Sequence, residues 1–128
     1  KSLIFTNTRS DAEEAITALR RLAEREGAPD IYHVHHGSIA APLREAAEDA
    51  MRDGSAPACT AATVTLELGI DLGQLDRVLQ LGPTGSVASF LQRLGRAGRR
   101  GQRPEMFFLL RDPDPPDGAS VLARIPWE

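Results

Sequence analysis

The hydrophobic and polar positions change period several times along the chain, and each change marks an element. Leu3 to Thr6 is a short apolar run suited to a buried strand. Ser10-Asp11-Ala12-Glu13 has the spacing of a capping box, with Ser10 as N-cap and Glu13 three residues on. Ala12, Ala15, Ile16, Leu19, Leu22 and Ala23 follow at three- and four-residue steps, which predicts an amphipathic helix stopped by Gly27 and Pro29. Ile31 to His35 reads as a second strand. Pro42 opens a second helix with Leu43, Ala46, Ala47 and Ala50 on one face and Gly54 at its end. Pro57 to Thr63 reads as a third strand, although alanine is a poor strand former. Arg77 to Leu81 is a fourth. Ser86 caps a third helix whose apolar face is Val87, Phe90, Leu91 and Leu94, and Glu105 to Leu110 is a last strand.

Strands alternating with helices predict an α/β domain with a mostly parallel central sheet. No internal repeat is visible. The Pro- and Asp-rich run from Asp112 to Gly118 breaks the alternation, which divides the chain into a domain at 1–111 and a C-terminal segment at 112–128. Lys1-Ser2-Leu3 begins as a strand already under way, without the pattern of a signal peptide, and the end has no obvious cap. The expectation is a piece of a larger polypeptide. Ligands of such sheets gather at the carboxyl ends of the strands. Those ends are the loops Asn7 to Ser10, His35 to Ala41, Thr63 to Gly73 and Leu81 to Ser86.

Charge changes this picture only locally. The 128 residues carry 15 Lys+Arg against 18 Asp+Glu, a net −3, which excludes a generally basic protein that coats nucleic acid. Gln92 to Arg103, however, holds five Arg and no acid; taking those five positives from the −3 total leaves −8 on the rest. No apolar run approaches the roughly 20 residues of a bilayer span, so no membrane partner is expected. A single cysteine, Cys59, excludes an internal disulfide and a Cys-rich zinc site, and with a reducing compartment as the default the expected localisation is cytoplasmic. Cys59 reads as a small core residue. His33, His35 and His36 lie close together, but strand alternation puts His33 and His35 on one face and His36 on the other, so no metal site is expected. Trp127 either packs on the domain or serves an interface, and Glu67 either orients its loop or pairs with an Arg.

Two segments carry chemistry. In Gln92-Arg93-Leu94-Gly95-Arg96-Ala97-Gly98-Arg99, Arg96 and Arg99 are three apart and able to point the same way on a helix or tight turn. Gly95 and Gly98 clear space beside them. Guanidinium suits bidentate phosphate contacts, although a solvated Arg-rich loop has the same charge. The glycines at 95, 98 and 101 do not have the dinucleotide-binding spacing. In Thr63-Val64-Thr65-Leu66-Glu67-Leu68-Gly69-Ile70-Asp71, Asp71 can accept from a ribose hydroxyl and Thr63 can donate to a phosphate; an ordinary loop with Asp71 in a turn is the alternative.

Together these segments resemble a known family. Gln92-x-x-Gly95-Arg96-x-Gly98-Arg99 resembles motif VI of superfamily 2 helicases, and Thr63 through Gly69-Ile70-Asp71 resembles motif V. Leu3-Ile4-Phe5-Thr6-Asn7-Thr8-Arg9 is similar to motif IV, and His35-His36-Gly37-Ser38 with Arg44 and Glu48 to the segment after it. The four occur in the family's order, and the phrase Leu66 to Asp71 with His35 to Ser38 and Gln92 is most similar to the Lhr (large helicase-related) group of DEAD/DEAH-box helicases.

The resemblance implies the second RecA-like domain, a three-layer fold with a helix-flanked parallel sheet and no P-loop. The only lysine is Lys1, and no G-x-x-x-x-G-K-[ST] occurs. By resemblance, ATP and Mg²⁺ are held mainly by an N-terminal RecA-like domain of the same polypeptide. Arg96 and Arg99 are the catalytic arginine fingers, and Gly69, Asp71, Gln92, Arg96 and Arg99 complete the nucleotide site. Thr8, Arg9, His36, Gly37 and Thr63 contact the nucleic-acid backbone, and the implied partner is single-stranded DNA. DEAD-box RNA helicases carry Arg where this chain has Leu68 and His where it has Gln92, which lowers the RNA reading without removing it. A non-enzymatic nucleic-acid-binding adaptor that keeps the fold, and a generic nucleotide-binding domain, are the competing classes.

Overall fold

The computed structural model describes residues 1–63, 75–95 and 105–110. Five parallel strands form one sheet: β1 (Ser2–Phe5), β2 (Tyr32–His35), β3 (Cys59–Ala62), β4 (Arg77–Leu81) and β5 (Met106–Leu109), in spatial order β2-β3-β1-β4-β5. Helices α1 (Arg9–Glu26), α2 (Ala41–Arg52) and α3 (Val87–Leu94) lie between them in sequence. Crossovers between parallel strands are right-handed. The step from β1 to β2 runs one way across the sheet, while β2 to β3 and β4 to β5 run the other way. The helices therefore divide, with α1 on one face and α2 and α3 on the other.

Strand alternation sorts the core accordingly. Ile4 and Ala61 face α1 and pack with Ala12 and Ile16. Leu3, Phe5, Ala62 and Val78 face the other way and pack with Met51 and Leu75. The alanine-rich β3 is a strand because its neighbours determine it: Ala61 pairs with Ile4 on one side and Val34 on the other.

Three expectations shift. The cap of α1 is Thr8, not Ser10: its Oγ1 accepts from the Asp11 amide at 3.1 Å and donates to the Asp11 carboxylate at 2.7 Å. Thr8-x-x-Asp11 does the same job one half-turn earlier, as soon as the chain leaves β1. The buried side of α2 is Ala47 and Met51 with Arg44, Glu48 and Ala50 half-buried, while Leu43 and Ala46 are exposed. The third shift is in α3, which leaves Val87 75% and Leu91 57% exposed and turns Arg93 inward, 2% exposed. No helix among the described residues is long and apolar enough to cross a membrane.

Candidate functional site

The five parallel strands end on one edge, and among the described residues the loops leaving β1, β2 and β4 are bonded there. From β1 come Thr6, Asn7, Thr8 and Arg9. Thr6 is fully buried and its hydroxyl donates to the Thr8 carbonyl at 2.9 Å, which shapes the turn that presents Thr8 and Arg9 at the surface. Asn7 Nδ2 donates to the Pro83 carbonyl at 2.9 Å and so ties this loop to the one after β4. The tie is close. Gly82 has φ +77°, and a Cβ there would stand 3.1 Å from Asn7 Nδ2.

The loop after β2 is tied as well. Arg9 Nη1 donates to Ser38 Oγ, so the two exposed loops are bonded to each other. The Ser38 amide donates to His36 Nδ1 at 3.3 Å, which leaves the proton on Nε2, and Nε2 donates to Glu13 of α1 at 2.9 Å. His36 is 3% exposed with both ring nitrogens engaged. Its side chain ties the loop to α1. Gly37 beside it is exposed with open space around it. Thr63 continues the pairing of β3, its amide donating to the His35 carbonyl at 3.4 Å, and is half-buried at the same edge.

The residues expected at a nucleotide divide differently. Gln92 is exposed on α3. Gly69, Asp71, Arg96 and Arg99 lie outside the described residues, as do Glu67 and Trp127. Lys1, the only lysine, donates from Nζ to the Ala50 carbonyl at 2.6 Å and to Ala56, at the opposite end of the strands. It is therefore engaged away from this edge. The donors that the edge does present are hydroxyls, a guanidinium and an amide side chain, which suit phosphate oxygens. A groove of about 620 Å³ beside α1 is lined partly by Asp11 and Glu14, whose charge repels phosphate.

No group of three His, Cys, Asp or Glu able to hold a metal ion occurs among the described residues. His35 instead pairs with Glu48 of α2 at 3.0 Å, on the face opposite the Glu13–His36 contact. Glu48 also meets Arg52 at 3.1 Å. The hydrogen bond from His35, and then that from Arg52, hold the Glu48 carboxyl below its ordinary range. Cys59 is partly buried, and burial pushes its thiol up to about 11. Sequence reasoning missed Glu13, Ser38, Gln80 and the inward turn of Arg93. Each is a partner supplied by a distant element.

Residues 1–101 match the family described as helicase conserved C-terminal domain. The chain belongs to that family. The helicase C-terminal domain is 41% identical over 99 residues to the ATP-dependent helicase Lhr-Core of Saccharolobus solfataricus, a match covering 76% of this chain and 11% of the relative. Its backbone is similar to that of the helicase Lhr of Mycobacterium smegmatis, solved bound to ssDNA and AMP-PNP, with TM-score 0.75 and 39% identity over 86% of this chain and 14% of that one. The DUF1998 helicase MrfA bound to DNA is similar at TM-score 0.74 and 29% identity, over 86% of this chain and 15% of that one. The helicase C-terminal domain thus spans about a tenth of the length of the curated relatives it matches.

Proposed function

We propose that this domain is the second motor domain of an ATP-dependent helicase or translocase that acts on single-stranded DNA. The observation that carries the reading is the shared edge: Thr8, Arg9, Gly37 and Thr63 lie on one rim, built by loops that are bonded to each other. In this reading Thr8, Arg9 and Thr63, with the Gly37 backbone, grip phosphates and sugars, and so bind without reading sequence. His36 serves by holding its loop. The Lhr of Mycobacterium smegmatis, with its bound ssDNA, supports the choice of DNA.

The nucleotide half of the reading is ATP with Mg²⁺ held mainly by an N-terminal RecA-like domain of the same polypeptide. Bound there, ATP supplies the phosphoryl group whose hydrolysis drives the cycle. Gly69 and Asp71 meet the nucleotide, Gln92 links the γ-phosphate region to the nucleic-acid rim, and Arg96 and Arg99 neutralise charge on the phosphoryl group when the two domains close. The expected localisation is cytoplasmic.

The test is DNA-stimulated ATP hydrolysis by the full-length protein. Arg96→Ala and Arg99→Ala each cut kcat by about 10³-fold while ATP still binds, and this domain alone hydrolyses essentially none. Hydrolysis at the wild-type rate by Arg99→Ala removes the arginine-finger role. A full-length protein that binds DNA without any ATPase is instead a nucleic-acid-binding adaptor. Stronger stimulation by single-stranded RNA than by DNA moves the substrate to RNA.

A further inference from the structure

We propose that Arg93 is a positioning residue for the arginine pair that follows it, a buried strut that fixes where Arg96 and Arg99 start. The inference rests on the function proposed for that pair. Its basis is how α3 is attached. The helix leaves Val87 and Leu91 exposed, and its apolar attachment is the stack of Phe90 on Phe108 at 5.9 Å between centroids. At the other end Arg93 reaches into the sheet. Its guanidinium lies 4.8 Å over the Phe5 ring and donates from Nη1 to Gln80 Oε1. Gln80, fully buried, donates its own Nε2 to the Leu81 carbonyl at 3.0 Å, which turns Oε1 toward Arg93.

Arg93 is among the largest fully buried side chains of the domain. A guanidinium is costly to take out of water, and a Met or Leu at this place would fill the same volume without that cost. The residue type therefore calls for a reason other than core filling. A planar fork on an amide oxygen and an aromatic face sets direction as well as distance, which an apolar side chain does not. What it sets is the end of α3. The Gly95 amide still donates to the Leu91 carbonyl at 2.9 Å, so the helix stays regular up to the glycine before Arg96. Gly95 ends the described part of α3, and Arg96 follows it directly in sequence.

The strut also joins both halves of the site. Phe5 is the last residue of β1 and Gln80 the penultimate residue of β4. The same two strands run on into Asn7 and Pro83, whose bond frames Thr8 and Arg9. Arg93 therefore anchors the nucleotide-side helix to the strands that carry the nucleic-acid loops.

The experiment compares Arg93→Met and Arg93→Lys with wild type, Arg96→Ala and Arg99→Ala in the full-length protein. Both Arg93 variants are expected to lower kcat at least tenfold, with KM for ATP within twofold and the thermal midpoint within a few degrees. Lys keeps the charge and loses the fork, so its failure to rescue identifies geometry as the cause. Without nucleotide, amide exchange from Gln92 to Gly98 should quicken at least tenfold in Arg93→Met, with exchange in β1 unchanged. Should Arg93→Met not fold, Gln80→Leu lowers kcat in the same direction. Unchanged kcat in any folded Arg93 or Gln80 variant, or a loss of kcat matched by loss of ATP binding and of the thermal midpoint, overturns the inference. Wild-type turnover in Arg96→Ala and Arg99→Ala overturns the proposed function instead, and the two failures are separable.

Discussion

The two faces of the sheet are built from different material. Toward α1 the packed cluster under the helix is apolar, Ile4, Ala12, Ile16 and Ala61, and the buried polar residues Thr6 and His36 lie past it, where the chain leaves β1 and β2. Toward α2 and α3 the apolar cluster of Leu3, Phe5, Met51 and Val78 is shared with buried polar groups, Thr60, His35, Gln80 and Arg93. Apolar burial is non-directional and supplies stability. Buried hydrogen bonds add little net stability but fix direction, and each is expensive to leave half-made. The α1 face thus holds the sheet together, and the opposite face determines how α2 and α3 sit on it.

Three changes break or sharpen that division. Ile16→Ala, at a position 1% exposed, should cost about 2–5 kcal/mol in urea unfolding. In the full-length protein it should leave turnover per folded molecule unchanged, and a turnover loss as large as the stability loss breaks the division. On the other face, Glu48→Gln weakens the bonds to His35 and Arg52 and should cost roughly 1–2 kcal/mol at pH 7. Its pH dependence sharpens the point. The folded carboxyl lies below its ordinary value of 4.5, so its contribution is complete above that value and declines as pH falls through the lowered one. Urea midpoints of wild type and Glu48→Gln should therefore converge on acidification from pH 5 to pH 3, and a constant gap excludes the carboxylate as the source. The smallest effect is at the rim. Thr8→Ala removes the α1 cap and should cost about 1 kcal/mol, with the other face untouched in amide exchange.

The same division marks what the sequence made legible. Each described strand lies within one or two residues of its apolar run, and Ser86 caps α3, accepting from the Ser89 amide at 3.1 Å. Periodicity works where burial is apolar, as along α1. It fails on the other face. The stripe Leu43, Ala46, Ala47 and Ala50 misplaces α2 because Glu48 must reach His35, and Val87 and Leu91 misplace α3 because Arg93 faces the sheet. Counting Arg93 with a cationic surface follows from charge alone, since its acceptor Gln80 lies 13 residues away on β4. Alternation did separate His35 from His36, but it could not supply Glu48 and Glu13, which reach them from opposite helices. The residues proposed to contact nucleic acid stand out only as motif positions, and the bonds that hold their loops were not legible in the sequence.

One feature of the topology bears on how the domain is made. β1 precedes the other four described strands in sequence but sits in the middle of the sheet: Phe5 pairs with Ala62 on one side and Gln80 on the other. During synthesis at about 5–20 residues per second, roughly 75 residues separate β1 from its second neighbour, so it waits on the order of 4–15 s. Among the described elements α1 follows β1 directly, packs on Ile4 and can form from local contacts. The all-apolar contact between β1 and α1 thus has a second role, as a shield for a central strand on the nascent chain until its partners emerge.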